Sequence, residues 1–235
     1  MKTLGKQLRY QTRARRAARL GLFVAMATVL IIGGASARAA VQSAELDALV
    51  AKLQQHYQAT DSFTADFKET VAAPGAMPRT RSGTVAYRKP GLIRWEFSAP
   101  QPETIVSDGS KLYDYDPGLN QVIEMPLRTA FKSRSAVAFI LGVGDLQRDF
   151  NIRPGQSASD GLEHLTLTPK EGGSELELGI DPHTLDILRL GATDAMGNST
   201  EVQLSRLQRN VAVNSHEFEF VVPPGADIVT PGSQS

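Results

Sequence analysis

The pair of side chains best placed for chemistry is Asp114 and Asp116, in the run Tyr113-Asp-Tyr-Asp-Pro117. Two residues apart on a strand, they share a face, close enough to bind a cation or to raise one carboxyl's pKa. No His or further acid stands beside them in the sequence. Both are therefore expected to face solvent, with Asp116 opening a turn at Pro117-Gly118. No other group of residues makes a catalytic set. The chain has no Cys, which excludes thiol nucleophiles and thiolate metal sites. His56, His164, His183 and His216 show none of the spacings of a metal motif. There is no G-x-S-x-G elbow. Gly142-Val143-Gly144 begins like a dinucleotide loop, but Gln147 stands where the third Gly belongs. Asn198-Ser199-Thr200 reads equally as a glycosylation sequon and as an ordinary loop. No metal, cofactor or catalytic residue is expected.

Charge separates the chain into two parts. Up to Ala39 there are eight basic residues and no acidic one, so the remaining 17 basic residues face all 25 acidic ones, a formal charge of −8. A body this negative argues against nucleic acid as a partner. The first part has the order of a secretory signal: a basic stretch, an apolar run from Leu20 to Ile32, then small residues. That run is 13 residues long, short of the roughly 18 that span a bilayer. Residues 1–39 are expected to be a cleaved signal peptide, cut between Ala37 and Ala40, and residues 40–235 a single domain. Arg15-Arg16 leaves both export routes open. Without Cys there is no disulfide framework and no lipid anchor on Cys, so the mature chain is expected to be soluble and held by its core; it is also expected to be a monomer.

Periodicity supplies the elements around these residues. Leu46, Leu49, Val50, Leu53 and Tyr57 form one apolar stripe of a helix that starts near Ala44 and stops near Thr60. Phe63, Ala65 and Phe67 alternate with polar residues, as in a half-buried strand. From Thr84 to Glu124 short alternating runs are punctuated by Lys89-Pro-Gly91, Pro100-Gln-Pro102, Ser107-Asp-Gly109 and Asp116-Pro-Gly118, a β-meander that carries the only Trp, Trp95. The unalternated run from Ser135 to Leu141 reads as a short apolar helix, with a strand as the alternative. Strand signals return at Leu165/Leu167, Leu176/Leu178/Ile180, Leu185/Ile187, Val202/Leu204 and Phe218/Phe220. Their spacing suggests an antiparallel sandwich or barrel. The tail after Pro223 is expected to fray.

Several blocks resemble the LolA family of periplasmic lipoprotein carriers. They are Phe63-Thr-Ala-Asp-Phe-Lys-Glu-Thr-Val71, Arg88-Lys-Pro-Gly-Leu-Ile-Arg-Trp95, Thr104-Ile-Val-Ser-Asp-Gly109 with Leu112-Tyr-Asp-Tyr-Asp-Pro117, Leu165-Thr-Leu-Thr-Pro-Lys170 and Phe218-Glu-Phe220. The resemblance implies a mainly β fold with some α: an incomplete, unclosed antiparallel β-barrel of roughly ten to twelve strands with a helical lid. It implies that acyl chains of outer-membrane lipoproteins lie between the two. Partners would be the inner-membrane ABC transporter complex LolCDE, which loads the carrier, and the outer-membrane receptor LolB, which unloads it. LolB is itself a lipoprotein, so the missing Cys fits the soluble carrier. On this resemblance the acyl-contacting residues are Ile93, Trp95 and Phe97 on the barrel and Leu46, Leu49, Leu53, Phe139 and Ile140 on the lid. The family's Arg before the junction proline links barrel to lid; here that position is Lys89, preceded by Arg88. Lys keeps the charge but lacks the planar fork. Either Lys89 holds the lid, or a bulge brings Arg88 inward. Two rivals remain: a periplasmic sensor or scaffold of related fold without lipid cargo, and an enzyme acting on cell-wall glycans through Asp114 and Asp116.

Overall fold

A computed structural model describes residues 42–130 and 144–231. The chain divides into two compact units, Met1–Leu49 and Val50–Ser235. The division falls within a helix, α1, at 42–58. In the first unit the described residues are its opening turns, where Leu46 and Leu49 are half-buried and their neighbours exposed.

The second unit is built on twelve strands: β1 (Ser62–Ala72), β2 (Arg79–Arg88), β3 (Leu92–Ala99), β4 (Glu103–Asp108), β5 (Lys111–Asp116), β6 (Gln121–Pro126), β7 (Phe150–Pro154), β8 (Glu163–Pro169), β9 (Glu175–Ile180), β10 (Ile187–Thr193), β11 (Ser199–Arg209) and β12 (Asp227–Val229). They form one sheet in the order β12-β6-β5-β4-β3-β2-β1-β11-β10-β9-β8-β7. The sheet is not closed, because β12 and β7 at its two ends do not pair with each other. Two single-turn helices accompany it, α2 (Leu127–Ala130) and α3 (Leu146–Asp149). This is the mainly β, unclosed architecture expected from the sequence.

Turn chemistry makes the meander. Asp108 Oδ1 accepts from the Ser110 and Lys111 amides at 2.8 Å each, while Gly109 takes φ +91° between them. Asp116 Oδ1 does the same for the Gly118 amide at 2.7 Å, so Asp116 opens its turn as expected.

Alternation decides which face each strand buries. Phe63, Ala65 and Phe67 of β1, Val85 and Tyr87 of β2, and Ile93 and Phe97 of β3 are all buried. On the other half of the sheet Leu165, Leu167, Leu176, Leu178, Ile180 and Ile187 continue the apolar surface. The opposite face of β2 to β5 is covered by the C-terminal segment. Phe218 is buried there, and Phe220 stacks on Tyr113 with ring centroids 5.1 Å apart.

Three expectations need correction. Phe218 does not lie on a strand: Ser215–Phe218 is a 3-10 turn, capped by Asn214 and Glu217 in a capping box. The tail does not fray after Pro223, since Asp227–Val229 pairs with β6, and that pairing is parallel, an exception in the otherwise antiparallel sheet. Leu185 is a turn residue with φ +62°, and β10 begins only at Ile187. The expected apolar helix from Ser135 to Leu141, with Phe139 and Ile140, lies outside the described residues.

Candidate functional site: an apolar floor and a clamped helix

Strand pairing sets the same-face residues in rungs. Phe63, Tyr87 and Ile93 align on one rung, Ala65, Val85 and Trp95 on the next, and Phe67, Gly83 and Phe97 on a third. Ile93, Trp95 and Phe97 therefore share the floor formed by β1 to β3. Trp95 is half-buried, whereas Ile93 and Phe97 are buried. The third rung depends on its glycine. Phe67 and Phe97 sit on strands separated by β2, yet their rings meet edge to face at 4.9 Å across Gly83. Phe67 also packs on Trp95, with centroids 4.8 Å apart.

Beyond the third rung the same face turns charged. Arg81 lies with its guanidinium carbon 3.9 Å from the Phe97 ring centre. Its Nε donates to Glu69 at 2.7 Å and its Nη1 to Glu103 at 2.5 Å. Asp114 belongs to this face too, on the Trp95 rung through Ile105. It is half-buried, as is Asp116, and neither faces solvent fully, contrary to expectation. Burial pushes the Asp114 carboxyl from an ordinary 3.8 up to about 6, and the neighbouring Glu103 charge adds to the effect, while Arg81 opposes it.

The sign of this shift gives a prediction. The folded chain holds the Asp114 proton more tightly than the unfolded chain. The resulting stability is complete below about pH 4 and is lost as pH rises through about 6. Asp114→Asn removes the titration. It is expected to add about 1 kcal/mol near pH 7, allowing for solvent screening at a half-exposed carboxyl, and nearly nothing near pH 4. Thermal melts at the two pH values check this; equal gains at both would mean that titration is not the cause.

The second half of α1 belongs to unit 2, and its Val50, Leu53 and Tyr57 are all buried. Their spacing of three and four residues is the apolar stripe read from the sequence. Polar contacts clamp this half at several points. Gln54 Oε1 accepts from the Leu146 amide at 3.0 Å, at the start of α3. The His56 ring meets Asp186 at 3.3 Å, and burial, with Arg209 nearby, lowers its pKa. Tyr57 Oη accepts from the Ile187 amide at 2.8 Å. Lys89 Nζ donates to the Tyr57 and Gln58 carbonyls at 3.0 and 2.8 Å, the last carbonyls of α1. A cation there satisfies groups that a helix end leaves unpaired and complements its negative end.

Arg88 points the other way, as neighbouring strand residues do. Its Nη1 donates to the Val213 carbonyl at 2.9 Å, and its guanidinium lies 5.7 Å from the Phe218 ring centre. Lys89 alone of the two touches α1. Sequence reasoning missed Gln54, His56 and Tyr57 as clamping residues. Their partners lie 90 to 130 residues away, beyond any local pattern.

The remaining candidates are occupied locally. His164 bonds Asp160 at 3.0 Å and His216 bonds Glu219 at 2.8 Å. Asn198 sits in a loop and donates to Asp194 at 2.8 Å. A pocket of about 700 Å³ opens on the opposite face, beside Thr64, Asp66, Thr84, Arg94, Glu96 and Glu217. Its charges pair among themselves, Arg94 with Glu96 and Arg206 with Asp66. Among the described residues no cluster of three metal-ligating side chains occurs.

The family model for the outer membrane lipoprotein carrier protein LolA matches residues 58–221. A protein of Bordetella avium named outer-membrane lipoprotein carrier protein is 33% identical over 192 residues, covering 79% of this chain and 85% of its own. Another so named, from Methylobacillus flagellatus, is 34% identical over 184 residues, covering 77% and 88%. Among solved structures, a LolA superfamily protein from Nitrosomonas europaea aligns with a TM-score of 0.45 at 14% identity, covering 74% of this chain and 97% of its own.

Proposed function

The chain belongs to the LolA family of outer membrane lipoprotein carrier proteins, and from that premise we propose that it is a non-enzymatic, monomeric periplasmic shuttle. Residues 1–39 export it and are removed. It takes lipoproteins from the inner-membrane complex LolCDE, shields their acyl chains on the floor around Ile93, Trp95 and Phe97, and passes them to LolB at the outer membrane.

The observation that carries this reading is the floor itself, three rungs rich in aromatic side chains, together with a helix half held by a buried apolar stripe and by polar contacts with Lys89, Leu146 and Ile187. Burying an acyl chain gains about 0.8 kcal/mol per methylene, so a chain of roughly 15 methylenes gains up to about 12 kcal/mol. Cargo so held does not escape into water on its own. An empty carrier must hide the same surface, because exposed apolar patches associate. A helix clamped by a few hydrogen bonds meets both demands. It covers the floor when empty, and it exchanges those bonds for cargo burial when loaded.

The test is loading. The purified protein is expected to bind a diacylated lipopeptide saturably and to release newly made lipoprotein from spheroplasts. Absence of both would leave the floor as ordinary core and favour the sensor or scaffold reading.

A further inference from the structure

We propose that the Trp95 indole N–H is the hydrogen-bond donor that receives a carbonyl of the cargo's acyl linkage, and so fixes where on the floor an acyl chain begins. This rests on the carrier reading above. Three observations lead to it. First, Trp95 Nε1 is enclosed, yet it finds no acceptor among the described residues. An indole N–H in that position normally has a partner, since an enclosed donor without one is costly. Second, Trp95 is on the floor, in line with Ala65 and Val85 and packed on Phe67. Third, its rung is where the floor changes character. Towards Phe63, Tyr87 and Ile93 the β1–β3 face is uninterrupted ring and aliphatic surface, apart from the Tyr87 hydroxyl. In the other direction lie Arg81, Glu69 and Glu103, and Asp114 stands on the Trp95 rung itself, two strands from Trp95.

An acyl chain has the same polarity pattern. Its methylenes are apolar throughout, and its only polar atoms are at the ester or amide end. With the carbonyl at Trp95, the chain runs over the Phe63–Tyr87–Ile93 side while the linkage faces the charged side. From the Trp95 rung to the Phe63 rung is two residue steps along β1, about 7 Å at the strand rise, so the first few methylenes next to the linkage lie over this side. The neighbouring carboxylates accept hydrogen bonds and do not donate them when ionised, so Trp95 is the donor of that rung.

The experiment compares a diester lipid with its diether counterpart of equal chain length, which differ only in the carbonyls. Affinity is read by displacement of a polarity-sensitive dye. The protein is expected to bind the diester about five- to tenfold more tightly, and Trp95→Phe is expected to bring that ratio to about one. Because the chain has a single Trp, its one indole N–H resonance supplies a second readout without any substitution. The diester should shift it downfield, and the diether should not. Equal binding of the two lipids, or a preference that survives in Trp95→Phe, overturns the inference and leaves the carrier reading standing. Binding of neither lipid overturns both.

Discussion

Gly83→Ala is expected to lower stability by about 3 kcal/mol or more, a large fraction of the total for a single domain. Gly83 lies where the β2–β3 register shifts. A Cβ placed there would overlap the backbone carbonyl of Glu96, and it would also come within 3.0 Å of the Phe67 ring. Backbone cannot swing aside as a long side chain can, so the strands themselves must separate. The damage would spread, because Phe67 and Phe97 touch across this residue. Gly75→Ala is the control. It sits in the β1–β2 loop at φ +77° with nothing within 4 Å. Its expected cost is only the strain of a positive φ, about 1 kcal/mol. Urea unfolding followed by Trp95 fluorescence measures both. Similar midpoints for the two variants would show that the close approach at Gly83 relaxes freely.

Most of the strand framework was legible because alternation and turn residues are local signals. Phe63-Thr-Ala-Asp-Phe67 shows its buried face in five letters, and Ser107-Asp-Gly109 shows its turn in three. Features that depend on distant residues were not legible. Asp114 reads as a surface acid because no His or further acid stands beside the Asp114/Asp116 pair in the sequence. The charges that act on its carboxyl, Glu103 and Arg81, are carried on other strands. Phe218 and Phe220 alternate as strand residues do, yet the Asn214–Glu217 capping box turns the chain first. The β12 strand is three residues long, too short for any period to show. The helix stripe gave Leu53 and Tyr57 correctly as apolar positions, but Tyr57's hydroxyl has a further partner in the Ile187 amide. The junction at Arg88-Lys89 was ambiguous because two adjacent cations differ only in which face they take, and that shows only in their distant partners, Val213 for Arg88 and the end of α1 for Lys89.

Lys89→Leu is expected to separate loading from delivery. The Lys89 ammonium holds the two final carbonyls of α1, and as a charged donor in a half-exposed site it contributes about 1 to 1.5 kcal/mol to keeping the helix down. That contribution exists only while the helix is seated. It therefore favours the empty, covered carrier over the loaded one, and losing it shifts the balance about tenfold towards the loaded state. Lipoprotein release from spheroplasts should proceed at least as well with Lys89→Leu. Transfer of the bound cargo to outer membranes should fall by about tenfold. The helix itself should stay folded on the sheet, because Gln54, His56 and Tyr57 still hold it and Leu53 remains buried beneath it. Lys89→Arg keeps a donor and a charge, so it should transfer at near the starting rate. Arg88→Leu provides the contrast. Its bonds go to Val213 and the Phe218 ring on the other face, so it should cost stability without changing the ratio of transfer to loading. Full transfer by Lys89→Leu would remove this contact from the release step. The drive for release would then have to come from the receptor's own affinity for acyl chains.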